Sequence, residues 1–243
     1  MTSARLSGEA CAWIDPDRRR ALFRHAAAAG IDFGRIAEGA AIATCEVARE
    51  RLGGSLGGRH IFVLVGPGRN GAVGLAAARR LAGAGADVAI LLGAPVTRIS
   101  AETAAQLRIC ERAELRILSG HPEYTRAELY VDALLAGGSV GRPRDGLAKL
   151  IELTASRRTI ALDLPSGLDP VSGAAASPVI SAEATLAIGP PLRVLADPRL
   201  DPIRGELYIC DLGIPATIAA AVGYEPAPPG VSPFAAAALI RVG

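Results

Sequence analysis

The feature that most constrains the fold is a succession near the first third of the chain: the apolar run HIFVLV at 60–65, the Ala-rich stretch LAAARRLAGAGA at 75–86 and a second apolar run, DVAILL, at 87–92. An apolar run of this length without polar alternation suits a strand covered on both faces. The stretch between has helix length and helix-forming residues, so the three predict a strand, a helix and a parallel strand. The pattern continues. AETAAQLRICERAEL (101–115) and GLAKLIELTAS (146–156) predict helices, while LRIL (115–118), LYVDALL (129–135), TIALDL (159–164), ATLAIG (184–189) and ELYICDLG (206–213) predict strands. Residues 17–52 read as one or two Ala-rich helices ended by GGSLGG at 53–58, and the tail from about 216, with its PAPPG break, reads as a loop and a short terminal helix. The expected fold class is α/β: a three-layer Rossmann-like sandwich, mostly parallel sheet with helices on both faces. It would form one domain, with N-terminal helices over 1–58, a core over 59–215 and the C-terminal loop and short helix over 216–243.

Composition narrows the function classes. Half of the 243 residues are hydrophobic and 21% are charged, enough apolar surface to offset ordering entropy, which excludes a disordered polar chain. Twenty-six Lys and Arg against 24 Asp and Glu leave a formal charge of +2, without the basic excess of a nucleic-acid binder. Cys11, Cys45, Cys110 and Cys210 form no C-x-x-C pair, and His25, His60 and His121 have no ligand spacing, so reduced thiols and no histidine metal cluster are expected. The first fifteen residues lack an uninterrupted apolar core of a signal peptide, and no stretch has the length and apolarity of a membrane span. A cytoplasmic protein with no membrane partner is expected.

In an open α/β sheet, ligands bind beyond the carboxyl ends of the strands. Three segments there can carry chemistry. GPGRNG (66–71) satisfies G-x-G-x-x-G through Gly66, Gly68 and Gly71, between a strand and a helix whose N-terminus favours an anion. A tight turn without a ligand reads the same way, and DVAILLG ends without the acid that would hold a dinucleotide ribose. VDALLAGGSVGRP (131–143) places Asp132 near a strand end before a small-residue loop, which can wrap an anion with its backbone or merely connect two elements. In ALDLPSGLDPVSG (161–173), Asp163 lies in an apolar strand, where desolvation suits a carboxylate to proton exchange, and Ser166 follows it. Asp169, Ser172 and Gly173 read as turn-forming residues.

Taken in order, GPGRNGAVG (66–74), VDALLAGG (131–138) and DLPSGLDPVSG (163–173) resemble the YjeF N-terminal family, the NAD(P)H-hydrate epimerases, whose pattern reads G-P-G-N-N-G-G-D-G, V-D-A-L-F-G-x-G and D-I-P-S-G-L-D-x-x-[ST]-G. The likeness extends over AEATLAIG and GELYICDLGIP and covers about 30–215. It implies an isomerase of cofactor repair that interconverts the S and R epimers of hydrated NADH and NADPH. It also implies one potassium ion per subunit on Asn70, Asp132 and Ser166. Substrate contacts would fall on Arg69, Asn70, Gly71, Ala72 and Val73, on Ala136, Gly137, Gly138, Ser139, Val140, Gly141 and Arg142, and on Asp163, the proton-transfer candidate. A homodimer and a separate NAD(P)H-hydrate dehydratase are the implied partners.

The chain departs from the family pattern at Arg69 for Asn, Ala72 for Gly and Val73 for Asp, and reads GPPLR, with Pro191, where the family carries a lysine. The alternative to an epimerase is therefore a catalytically impaired module on the same fold that binds a nucleotide or a protein partner. A third possibility gives Arg69 a charge-assisted contact to an extra phosphate.

Overall fold

The computed structural model describes residues 4–118, 127–139, 141–225 and 238–243. Its strands are β1 (Ala4–Leu6), β2 (His60–Val65), β3 (Asp87–Leu92), β4 (Arg116–Leu118), β5 (Leu129–Ala133), β6 (Thr159–Leu162), β7 (Ala184–Ile188), β8 (Glu206–Cys210) and β9 (Leu239–Val242). Its α-helices are α1 (Pro16–Ala28), α2 (Phe33–Arg51), α3 (Arg69–Gly83), α4 (Ala101–Arg112), α5 (Asp145–Leu153) and the short α6 (Asp201–Arg204) and α7 (Ala216–Ala220). The strands form one sheet in the order β1-β9-β8-β7-β6-β5-β2-β3-β4, parallel at every pairing except β8 with β9.

Side-chain alternation explains the continuous apolar runs. Ile61, Val63 and Val65 of β2 point into the cluster shared with α2, α3 and α4, whereas Phe62 and Leu64 point into the cluster on the opposite face with Leu150 and Ile151 of α5. Val88 and Ile90 of β3 divide from Ala89 and Leu91 in the same way. Both faces are covered, so both parities must be apolar. Helix α2 starts where the Asp32 side chain accepts the Arg35 N–H at 3.0 Å, and α4 starts where Ser100 accepts the Thr103 N–H at 3.2 Å.

The two ends of the chain depart from expectation. Residues 4–6 form a strand ahead of the N-terminal helices, and 239–242 form β9, where the tail was expected to close with a short helix. The short helix of that region is α7, directly after Pro215. Strand β9 pairs with β8 and with β1, so the sheet edge is built from both termini. Three- and four-residue strands are too short to carry a period-2 signal. Their pairing partners lie far away in sequence. The PAPPG segment and His121 lie outside the described residues. No helix among the described residues is long and apolar enough to cross a membrane.

Strand order places the site. The chain runs from β2 outward to β3 and β4, then returns to the other side of β2 with β5. The direction of winding reverses there, which opens a crevice between the loops that follow β2 and β5.

Candidate active site

The loop after β2 is held against the loop after β5. The Gly66 N–H donates to Ala133 O at 3.0 Å, and a Cβ on Gly66 would lie 1.7 Å from Leu134 O. No side chain fits there. A Cβ on Gly71 would lie 2.1 Å from Gly66 O, so the turn into α3 also needs glycine at that position.

Asn70 sits in the first turn of α3, 6% exposed. Its Nδ2 donates to Leu135 O at 2.5 Å and Leu162 O at 3.1 Å, while its buried Oδ1 has no hydrogen-bond partner. Asp132, near the end of β5, is fully buried. Its Oδ1 accepts the Leu134 N–H at 3.1 Å and the Ser166 hydroxyl at 2.7 Å, and its Oδ2 accepts the Ser166 N–H at 2.9 Å. All of these donors are neutral. Burial pushes the carboxyl up to about 6, against the opposing pull of the Ser166 and Leu134 donors. The Ser166 hydroxyl in turn accepts the Leu135 N–H at 2.9 Å. Leu135 thus joins Asn70, Ser166 and Asp132 in one network. An unpartnered amide oxygen, a carboxylate with only neutral donors, a hydroxyl and nearby backbone carbonyls make a donor set that suits a hard cation.

Asp163 stands one residue past the end of β6, not within the strand, and its backbone takes the left-handed φ of +70°. Few non-glycine residues adopt that conformation, Asp among the more frequent of them. Its N–H is tied to Leu186 O at 2.8 Å. The carboxylate is 4% exposed by residue and meets Arg19 of α1 in a two-point contact: Nη1 donates to Oδ1 at 2.6 Å and Nη2 to Oδ2 at 2.7 Å. Oδ2 also accepts the Gly137 N–H at 3.0 Å.

Asn70, Arg19, Gly137 and Asp163 border a cavity of about 400 Å³. Phe23, Phe33, Ile36, Val73, Leu134 and Ile188 form apolar wall; Arg19, Arg20, Arg69, Asn70, Ser139 and Asp163 bring polar side chains, and Ala136, Gly137 and Gly138 bring the loop after β5. Of the residues expected from sequence, Arg69, Asn70, Val73, Ala136, Gly137, Gly138, Ser139 and Asp163 line this cavity. Gly71 and Ala72 are buried in α3 and do not line it, and neither do Gly141 and Arg142, which are exposed. Asp132 and Ser166 lie buried outside the lining set. Val140 is outside the described residues. Arg69 donates from Nε to Glu102 Oε1 at 2.9 Å and lies 5.4 Å over the Phe33 ring. Pro191 has a structural contact: its carbonyl accepts the Ile14 N–H at 3.0 Å, anchoring the segment before α1. Asp169 closes a turn by accepting from Val171 N–H, Ser172 N–H and the Ser172 hydroxyl at 3.0, 2.8 and 2.9 Å. Among the described residues no group of three or more His, Cys, Asp and Glu could hold a metal ion.

Arg19 is a site residue that the sequence does not single out, and Arg20, Phe23, Phe33 and Ile36, which also line the cavity, are others. Nothing in PDRRRALF distinguishes Arg19 from its neighbours Arg18 and Arg20, and its partner lies 144 residues away.

An open, mainly parallel sheet with its cavity at the winding reversal defines a Rossmann-like α/β protein. The YjeF-related protein N-terminus model matches residues 34–194, and the chain belongs to that family. It is 33% identical over 174 residues to a protein named NAD(P)H-hydrate epimerase from Pirellula staleyi, covering 66% of this chain and 75% of that one. A protein of the same name from Dehalogenimonas lykanthroporepellens is 36% identical over 194 residues, covering 79% and 76%. A bifunctional NAD(P)H-hydrate repair enzyme from Moorella thermoacetica is 31% identical over 195 residues, 75% of this chain but 37% of that protein. The crystal structure of the yeast protein ynu0 superposes with a TM-score of 0.79 at 17% identity, over 94% of this chain and 99% of that one, which shows the shared fold.

Proposed function

We propose that this chain is an NAD(P)H-hydrate epimerase, interconverting the S and R forms of hydrated NADH and NADPH. The observation that carries the reading is the Asp163 carboxylate, held in the cavity by Arg19 and the Gly137 N–H, in a family whose curated relatives bear this activity as their name. An ionised carboxylate has about four acceptor positions, and three donors leave one, on Oδ1. That position can accept the proton of the substrate's ring hydroxyl. As it does, the bond from the hydrated carbon to the ring nitrogen breaks, its electron pair goes to the nitrogen and the carbon becomes an aldehyde. Rotation offers the other face. The nitrogen then attacks that face, Asp163 returns the proton to the oxygen, and the opposite epimer is formed with atoms and charge balanced.

Potassium, one ion per subunit, is the cation we assign to Asn70, Asp132 and Ser166; the unpartnered Asn70 Oδ1 supports the assignment. When bound it supplies positive charge for an anionic part of the substrate. The substrate would meet Arg69 to Val73, the loop 136–142 and Asp163. A homodimer, a separate dehydratase and a cytoplasmic setting complete the reading; four buried free thiols agree with a reducing compartment.

The second reading, a binding module without turnover, draws on Val73, which is 1% exposed and gives the cavity an apolar wall. Incubating the purified chain with separated S and R hydrated NADH, with and without potassium, decides between them. Interconversion is expected. Binding of ADP-ribose without interconversion would favour the module.

A further inference from the structure

We propose that Arg19 is the positioning residue of this site: a fixed cation, delivered from α1, that orients Asp163 and leaves one acceptor position on Oδ1 open to the substrate. The inference rests on the epimerase reading above. A buried ion pair gains little over well-packed apolar side chains, because removing two charges from water offsets their attraction. Stability is therefore a weak reason to retain Arg19, which is the only arginine among the described residues that is buried, at 7% exposure. Its setting argues for chemistry. The pair lines the cavity, with Asp163 held on a left-handed backbone at φ +70°. The loop after β5 is shaped around the guanidinium: a Cβ on Gly137 would lie 2.6 Å from Arg19 Nη2 and 2.4 Å from Leu192 Cδ1.

Helix α1 is docked firmly enough to hold such a group. Ile14 exchanges backbone hydrogen bonds with Pro191 and Arg193 at 3.0 and 2.9 Å, Leu22 and Ala26 are buried, and the Tyr224 hydroxyl donates to Ala12 O at 2.8 Å. The Arg19 guanidinium also lies 6.0 Å from the Phe23 ring centroid. A guanidinium offers hydrogen-bond donors and no acceptor, so Arg19 takes no proton from the substrate. Its contribution is geometric and electrostatic. During ring opening the negative charge passes from Asp163 to the ring nitrogen, and the guanidinium favours both the starting carboxylate and the charge that replaces it.

The test compares wild type, Arg19→Ala, Arg19→Lys and Asp163→Ala for epimerisation of hydrated NADH, with ADP-ribose binding measured by calorimetry on each. Arg19→Ala is expected to lose about a hundredfold in kcat while ADP-ribose affinity changes less than about threefold. Added guanidinium ion should restore part of the rate to Arg19→Ala and none to Asp163→Ala, a rescue that a purely structural role would not give. If Arg19→Ala fails to fold, Arg19→Lys decides, since its single ammonium cannot reproduce the two-point contact: a kcat about tenfold lower at unchanged ADP-ribose affinity supports the role, and wild-type kcat overturns it. An active wild type beside an equally active Arg19→Ala, or loss without guanidinium rescue, overturns this inference alone. An inactive wild type overturns the epimerase reading and this inference with it.

Discussion

Ser166 meets Asp132 at two points: its hydroxyl donates to Oδ1 at 2.7 Å and its backbone N–H to Oδ2 at 2.9 Å. The contact ties the loop after β6 to the end of β5 and places a fully buried carboxylate among neutral donors. A bound monovalent cation would offset that charge. Potassium at a hundredfold excess over its Kd should stabilise the wild type by about 2.7 kcal/mol, raising the thermal midpoint by roughly 5–10 °C. Asp132→Ala should remove the dependence. The same potassium response in that variant would contradict the assignment.

Gly66 tests the crevice itself. Because a Cβ there would meet the Leu134 carbonyl, a backbone atom that cannot swing away, Gly66→Ala should destabilise the fold by about 2–3 kcal/mol in denaturant unfolding. A loss under about 0.5 kcal/mol would mean that the loops after β2 and β5 are not in contact.

Glu38 gives a pH dependence of known sign. Burial raises its pKa, but hydrogen bonds from Arg79 and Arg80, the latter from Nε at 2.8 Å, outweigh it and hold the carboxyl below its ordinary value. A depressed folded pKa stabilises above the unfolded carboxylate range and is lost as pH falls through the folded value. Glu38→Gln should therefore cost about 0.5–1 kcal/mol at pH 7, discounted for its partial exposure, and the difference from wild type should vanish once the pH falls below the depressed folded value. A cost that persists undiminished in acid would contradict the ion-pair account.

Much of this was legible in the residues, for reasons that differ by element. HIFVLV and DVAILL declared themselves because a doubly covered strand must be apolar at both parities. Asp132, Ser166 and Asp163 stood out because each follows or closes an apolar run where a sheet of this kind binds ligands, whereas Asn70 was marked only by the family resemblance of GPGRNG. Arg19 could not, since no local pattern marks one arginine of RRR as buried and its partner is set by tertiary packing alone. Strands β1 and β9 were hidden because ARL and LIRV become strands only through each other and β8. The left-handed backbone of Asp163 was hidden as well, for Asp is an ordinary strand-end residue by its letters.

Arg69 bears on substrate preference. It lines the cavity with Nε held by Glu102 and its guanidinium over Phe33, a pose that can offer its remaining donors to a phosphate. Arg69→Asn is expected to lower the preference for hydrated NADPH over hydrated NADH by about tenfold in kcat/KM, a loss of about 1.4 kcal/mol. The same preference in wild type and variant would rule out a phosphate contact at this residue.

Whether Asp163 moves the proton is read from the rate of S to R interconversion of hydrated NADH by wild type and Asp163→Ala, with potassium present and ADP-ribose binding measured in parallel. Interconversion by the wild type is expected, with a loss of at least about a hundredfold in kcat for the variant at ADP-ribose affinity within a fewfold of wild type. Equal rates for the two proteins would contradict proton transfer by Asp163.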